Sequence, residues 1–175
     1  MALTIEQIKK EETDKGLLLL LTEELERWLP EALQNDRDRY HATLPALPRG
    51  LRAMAGMYFL DVSMALDSLA WHFGNQNDER DLQETLDGLQ ELEMPEIAAM
   101  FAKMWEFMKP HMSILQSGEF GGKDFADWLE EIGAEELASP MNDIIWKFCS
   151  EQNDFGLLAS WIPYARKYPD RCIVT

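Results

Sequence analysis

The chain has 175 residues, of which 46% are hydrophobic and 27% charged. That is enough for one domain to bury its own core without disulfide or metal staples, and it excludes a disordered chain. Thirty-two acids against sixteen bases leave a net charge of −16. Phosphate backbones and anionic lipid surfaces repel such a chain, so direct nucleic-acid or membrane-surface binding is not expected and a basic protein surface is the natural partner.

In chain order the periodicity is helical almost throughout. Thr4 followed by Gln7 has the spacing of a capping box and starts a short helix at "TIEQIKKEE". The N-terminal stretch is charged and periodic, unlike a signal peptide. Gly16 interrupts, and "LLLLLTEELERWL" follows with Leu18, Leu21, Leu25, Trp28 and Leu29 on one stripe. The run of five leucines is far shorter than the roughly 20 apolar residues that span a bilayer. Pro30 can begin a further short turn. "NDRDRYHATLPALPRG" reads as a connection. One long helix is predicted from about Arg49 to Phe73, ended by "GNQND".

Beyond it comes the acidic helix "NDERDLQETLDGLQELEMPE". Pro95 begins the next helix, with a break at Pro110. "SGEFGGKD" is a loop and "DFADWLEEIG" a short helix ended by Gly133. Ser139 and Pro140 have the order of an N-cap and first helical residue. "DFGLLASWIPYARKYPD" is the last helix, broken near Pro163. No stretch alternates strictly, and no repeat recurs at a fixed period. The expected architecture is all-α: a single compact multi-helix domain of about seven or eight helices over 1–175, with N-terminal helices (1–43) packed on a core of 44–173.

Motifs that carry chemistry are sparse. The Glu-x-x-His pattern of di-iron bundles does not occur around His41, His72 or His111, and no metal or cofactor is expected. Cys149 and Cys172 fit free thiols in a reducing cytoplasm; Cys149, within "IIWKFC", reads as a buried structural thiol. "GEFGGKD" lacks P-loop spacing. Asp61, Ser68 and His72 fall on one stripe of the predicted long helix and could line a polar pocket, although Asp61 and His72 would lie about 16 Å apart along it. The methionines at 54, 57, 64, 94, 100, 104 and 108 fall at helical spacing beside aromatics, the pattern of a core more than of an adaptable groove.

Charge is concentrated. Residues 77–96 hold eight acids against Arg80, and residues 119–136 hold seven against Lys123; the segment 157–175 is mildly basic. With the usual 100° step, Leu82, Leu86 and Leu89 share one side of the first acidic helix, and Glu84, Asp87 and Glu91 fall opposite, facing water. Asp78, Glu79 and Asp81 lie at its positive dipole end. The candidate partner-binding residues are therefore Asp78, Glu79, Asp81, Glu84, Asp87 and Glu91, with Asp124, Asp127, Glu130, Glu131, Glu135 and Glu136. Duplex DNA carries one charge per roughly 1.7 Å. One acid per helical turn, about 5.4 Å, is too sparse by about threefold. Imitation of DNA would therefore require both segments on one face.

"LPRGLRAMAGMYFLDVSM", "LAWHFGN", "LQELEMPEIAAMFAKMWEFM" and "YARKYPDRCI" together resemble a bacterial helical domain family of unknown function that includes a DNA-mimic protein, over roughly residues 44–173. The family's centre has an acid, asparagine, paired glycines and an aromatic; here the stretch reads "SMALDSLAWHFGN", sharing the aromatic and asparagine framework near Phe73 and Asn75. The resemblance implies an all-α domain with an acidic surface and no known catalysis. The leading expectation is thus a non-enzymatic, cytoplasmic acidic protein that binds a basic surface, with a DNA mimic as one form of such a protein. The alternatives are an immunity or inhibitor protein against a toxin or nuclease, and a small-ligand pocket or enzyme around Asp61, Ser68 and His72. Reversing Glu84, Asp87 and Glu91 is predicted to abolish partner capture.

Overall fold

In the computed structural model, which describes residues 2–34, 36–152 and 155–174, twelve α-helical segments and four 3-10 turns make up the described chain, with no strand among the described residues. The helix count exceeds the expected seven or eight because the predicted long helix divides at a capped break and short helices form at Glu31–Gln34 and Arg37–Thr43.

Helix α1 (Ile5–Lys10) starts with the predicted capping box between Thr4 and Gln7. Helix α2 (Asp14–Trp28) begins before Gly16 and runs through it: Thr13 accepts from the Gly16 N–H, and a Cβ at Gly16 would meet the Glu11 carboxylate at 2.3 Å. Leu17, Leu21 and Leu25 are its buried leucines. Pro30 precedes the short α3 (Glu31–Gln34). The predicted connection contains a helix, α4 (Arg37–Thr43), because Asp36 caps the Arg39 N–H and Tyr40 and Leu44 reach the core. Asn35 of that stretch, and Asp154 at the start of the predicted last helix, lie outside the described residues.

The predicted long helix is two. Helix α5 (Arg49–Leu66) stops at Asp67, whose backbone leaves the helical region, and Ser68 caps α6 (Leu69–Asn75) by accepting from the Trp71 N–H. Helices α7 (Glu79–Glu91) and α8 (Pro95–Met108) follow; a 3-10 turn at Lys109–His111 marks the expected break at Pro110 before α9 (Met112–Ser117). Helix α10 (Phe125–Glu131) is capped by Asp124. Helix α11 (Ala134–Ser150) starts five residues before the predicted cap at Ser139 and carries Pro140 inside it. Ser139 and Pro140 are both exposed, so water can reach the backbone carbonyl that the proline leaves without a donor. After a 3-10 turn (Gly156–Ser160), α12 (Trp161–Lys167) holds Pro163 in its first turn, where an N–H has no intrahelical partner, so no break occurs.

Helix α5 lies at the centre, with Leu51, Met54, Met57 and Leu60 fully buried. Helix α7 runs antiparallel against it at backbone range. A Cβ on Gly56 would sit 2.2 Å from the Glu84 carbonyl oxygen, and one on Gly88 would sit 2.5 Å from that of Ala53. The Thr85 hydroxyl donates to the Gly56 carbonyl at 2.8 Å across the seam. Met54, Met57, Met64, Met94, Met104 and Met108 are core residues and Met100 packs against them. Leu3, Ile8, Leu17, Leu21, Leu25, Leu29 and Tyr40 belong to the same apolar cluster, so the first forty residues share one core with the rest. Buried Glu24 accepts from the Leu3 N–H and the Trp28 indole, and pairs with Arg27.

Helix α11 fastens the α5–α6 break with three side chains on one stripe. The Trp146 indole donates to the Met64 carbonyl at 3.0 Å, Asn142 accepts from the Leu69 N–H at 2.9 Å, and Glu135 accepts from the Ser68 hydroxyl at 3.0 Å. Trp146 and Asn142 thus satisfy backbone groups freed where one helix stops and the next starts, and Glu135 holds the hydroxyl that caps α6.

Candidate functional site: the acidic segments and the groove between α6, α10 and α11

The two acidic segments differ in what their carboxylates do. On α7 the buried arc comprises Asp81, Leu82, Thr85, Gly88 and Leu89. Leu86, on the expected inner side, is only half-buried. Small residues permit the closest approach to α5, so the helix is turned away from the bearing its leucines suggest. That rotation brings Glu84 and Glu91 to the edge of the seam, so both, expected to face water, are instead paired internally. Arg52 binds Glu84 with Nε at 2.8 Å and a second guanidinium nitrogen. Glu91 takes Arg49, Arg171 and the Tyr164 hydroxyl. Burial disfavours its charge, but the hydrogen bonds from Arg49 and Tyr164 outweigh this and hold its pKa below the ordinary range.

Asp81 is 5% exposed, beside Arg37 at 3.2 Å and His41 at 3.0 Å. Burial raises its pKa despite both neighbours. Asp78 pairs with Arg80 at 2.7 Å, which holds its carboxyl low. Glu93 takes Lys167 at 2.7 Å and the Tyr168 hydroxyl at 2.9 Å. Its φ of +60° places it at the left-handed residue of a Schellman ending, where Met94 N–H reaches the Leu89 carbonyl at 2.9 Å. Among the eight acids of 77–96, Glu79, Asp87 and Glu96 are exposed and without an ion pair among the described residues. The basic C-terminal residues Arg166, Lys167 and Arg171 are internal counter-charges to Asp14, Glu93 and Glu91.

The second segment is open. Glu119, Asp124, Asp127, Glu130 and Glu136 are exposed, and the segment's ion pair among the described residues is Lys123–Glu131. Helix α10 is fixed by aromatics: Phe125 sits over Gly74, where a Cβ would come within 2.2 Å of the ring, and packs edge-on to Trp71 at 4.9 Å. Helix α7 packs chiefly on α5 and α8, whereas α10 packs on α11. No described ion pair or hydrogen bond joins 77–96 to 119–136.

The predicted trio of Asp61, Ser68 and His72 is not brought together, because the helix that would have aligned them is broken. Asp61 accepts from the Leu157 N–H at 2.6 Å, and burial raises its pKa. Ser68 joins Trp71 and Glu135. His72 is fully buried against Phe73 and Phe101, with Nδ1 3.0 Å from the Ser63 hydroxyl. That hydroxyl donates to the Phe59 carbonyl, so Nδ1 carries the proton and the ring is neutral. Burial pushes the pKa of His72 down to about 3.

Tertiary structure also gathers residues far apart in sequence. His41, Asp78 and Asp81 present ligand atoms within 4.8 Å of one another. Asp38, three residues before His41, turns to Arg80 at 2.9 Å. Arg37 and Arg80 already occupy the two carboxylates, so a cation would enter against two guanidinium groups. A groove of about 400 Å³ between α6, α10 and α11 is lined by Asp67, Ser68, Trp71, Glu130, Glu135 and Trp146. A second, of about 360 Å³, lies near α12 beside Phe148, Phe155 and Ile162. No helix among the described residues is long and apolar enough to cross a membrane.

Comparison with known proteins returns no match: no family model, no curated protein and no solved structure aligns significantly with the chain.

Proposed function

We propose that this chain is an acidic protein-binding protein, without catalysis of its own, that occupies the basic surface of a DNA-binding protein through the carboxylates of 119–136. The observation that carries the reading is the unequal use of charge: 77–96 is largely neutralised from within, while 119–136 presents exposed carboxylates with one internal counter-ion. Burying an apolar core needs no such excess, and fixed surface charge steers association with an oppositely charged partner. The working surface is narrower than both acidic segments together, since Asp81, Glu84 and Glu91 hold the fold.

The test is capture from lysate at low salt, with the captured protein identified and then challenged with duplex DNA. Asp127→Lys, Glu130→Lys and Glu136→Lys together should abolish capture, and duplex DNA should displace the chain from its partner. Undiminished capture by the triple variant would overturn the reading. Displacement by a nuclease substrate, with loss of nuclease activity in the complex, would instead place the protein among inhibitors using the same surface.

A further inference from the structure

Of the exposed large apolar side chains, Leu19 stands on α2, whereas three others lie near the end of α5. Val62 and Leu66 stand one turn apart at the end of α5, 38% and 76% exposed, and Trp146, 43% exposed, lies against the same turn through its bond to the Met64 carbonyl. Leu66 is followed by Asp67, which opens the groove formed with Trp71, Glu130, Glu135 and Trp146. None of the groove's lining residues is basic, and none of its three carboxylates makes an ion pair among the described residues. An apolar ledge therefore adjoins an aromatic groove with uncompensated negative charge.

A cation over an indole face is attracted by the ring's quadrupole, most strongly where water is partly excluded. Arginine suits such a place better than lysine, because its planar guanidinium stacks on an aromatic and donates in pairs to carboxylates. Aromatic and arginine anchors beside apolar cover are also the groups that dominate protein–protein binding. A second copy of this chain is a poor occupant: with a net charge of −16, each would bring more negative charge to the ledge.

We propose that this face docks an arginine-bearing amphipathic segment of a protein partner. An arginine enters the groove between Trp71, Trp146 and the three carboxylates, and apolar side chains of the same segment cover Val62 and Leu66. The proposal rests on the acidic-binding reading above and gives that surface its anchor.

The probe is a synthetic amphipathic helical peptide with arginines on one side and leucines on the other, alongside its all-lysine counterpart. Both are titrated into the full ¹⁵N-labelled chain at low salt. The arginine peptide should shift the Trp71 and Trp146 indole N–H signals and bind more tightly than the lysine peptide. Glu130→Gln with Leu66→Lys, both at exposed positions, should weaken it about tenfold, and Trp146→Phe should weaken it further. Asp127→Asn with Glu136→Gln, outside the groove, should change affinity less than about threefold. If the groove variants bind as the wild type does while the outer pair loses affinity, the anchor is wrong and the acidic-surface reading stands. If neither peptide binds, both fall. Self-association that depends on Leu66 would overturn the proposal in favour of a second copy.

Discussion

Glu91 shows how one carboxylate can be structural inside a strongly acidic chain. It lies 16% exposed among Arg49, Arg171 and Tyr164, tying α5, α7 and the C-terminal turn together. Glu91→Gln should destabilise the protein by about 1–3 kcal/mol, since it leaves two guanidinium groups facing each other without their anion; urea unfolding measures this. His72 is a second residue whose environment has a readable consequence. Its folded pKa, about 3, lies below the ordinary 6.5, so the unfolded chain binds the extra proton between those values. Stability should therefore be held above about pH 6.5 and fall as pH drops toward 3, by up to about 1.4 kcal/mol per pH unit from this group. His72→Phe should flatten that part of the stability profile; an unchanged slope would mean that the ring is not buried neutral. The identity of these residues was plain in the sequence, but their roles were not. A glutamate on a helix rich in acids reads as solvated until the arginines opposite it are placed.

At the scale of elements, the seam between α5 and α7 depends on glycine. Gly56→Ala would drive a methyl group into the Glu84 carbonyl, and the two backbones would have to separate. A loss of about 1–3 kcal/mol is expected, with the midpoint of chemical denaturation shifted and secondary structure retained. Sequence periodicity identified the helices around Thr4, Asp124 and Pro95 because their caps are local: a side chain three residues from its N–H partner, or a proline in a first turn. Periodicity failed at Asp67–Ser68, where apolar residues continue across the break. There the decision comes from α11, whose Asn142 and Trp146 satisfy the interrupted backbone from more than seventy residues away, while its Glu135 holds the capping hydroxyl of Ser68. The leucine stripe of α7 placed Leu82 and Leu89 correctly but put the centre of the inner face too near Leu86, for a similar reason. A helical wheel weights large apolar residues, whereas Thr85 and Gly88 face the closest neighbour because they are small. Arg49 and Arg52, one turn apart on α5, and Glu84 and Glu91, two turns apart on α7, were the signal that could have exposed the pairing.

Across the whole molecule, charge is sorted into an internal set and an external set. Reversing Glu84 and Glu91 should lower the melting temperature, because each pairs with a fixed arginine. Reversing Asp127, Glu130 and Glu136 should leave it unchanged or raise it, because relief of like-charge repulsion accompanies the loss of exposed charge. Thermal melts of the two variant sets distinguish these roles, and they also show whether lost partner capture reports binding or unfolding. Composition and helical periodicity determined by themselves that this chain is all-α, strongly acidic, and built on a core rich in leucine and methionine, since those properties depend on residues near one another along the chain. Only the tertiary structure decided which acids are available to a partner and that Leu66, Trp146 and the groove at Asp67 form one face. Ion pairing and exposure depend on distances between helices, and no local pattern encodes those distances.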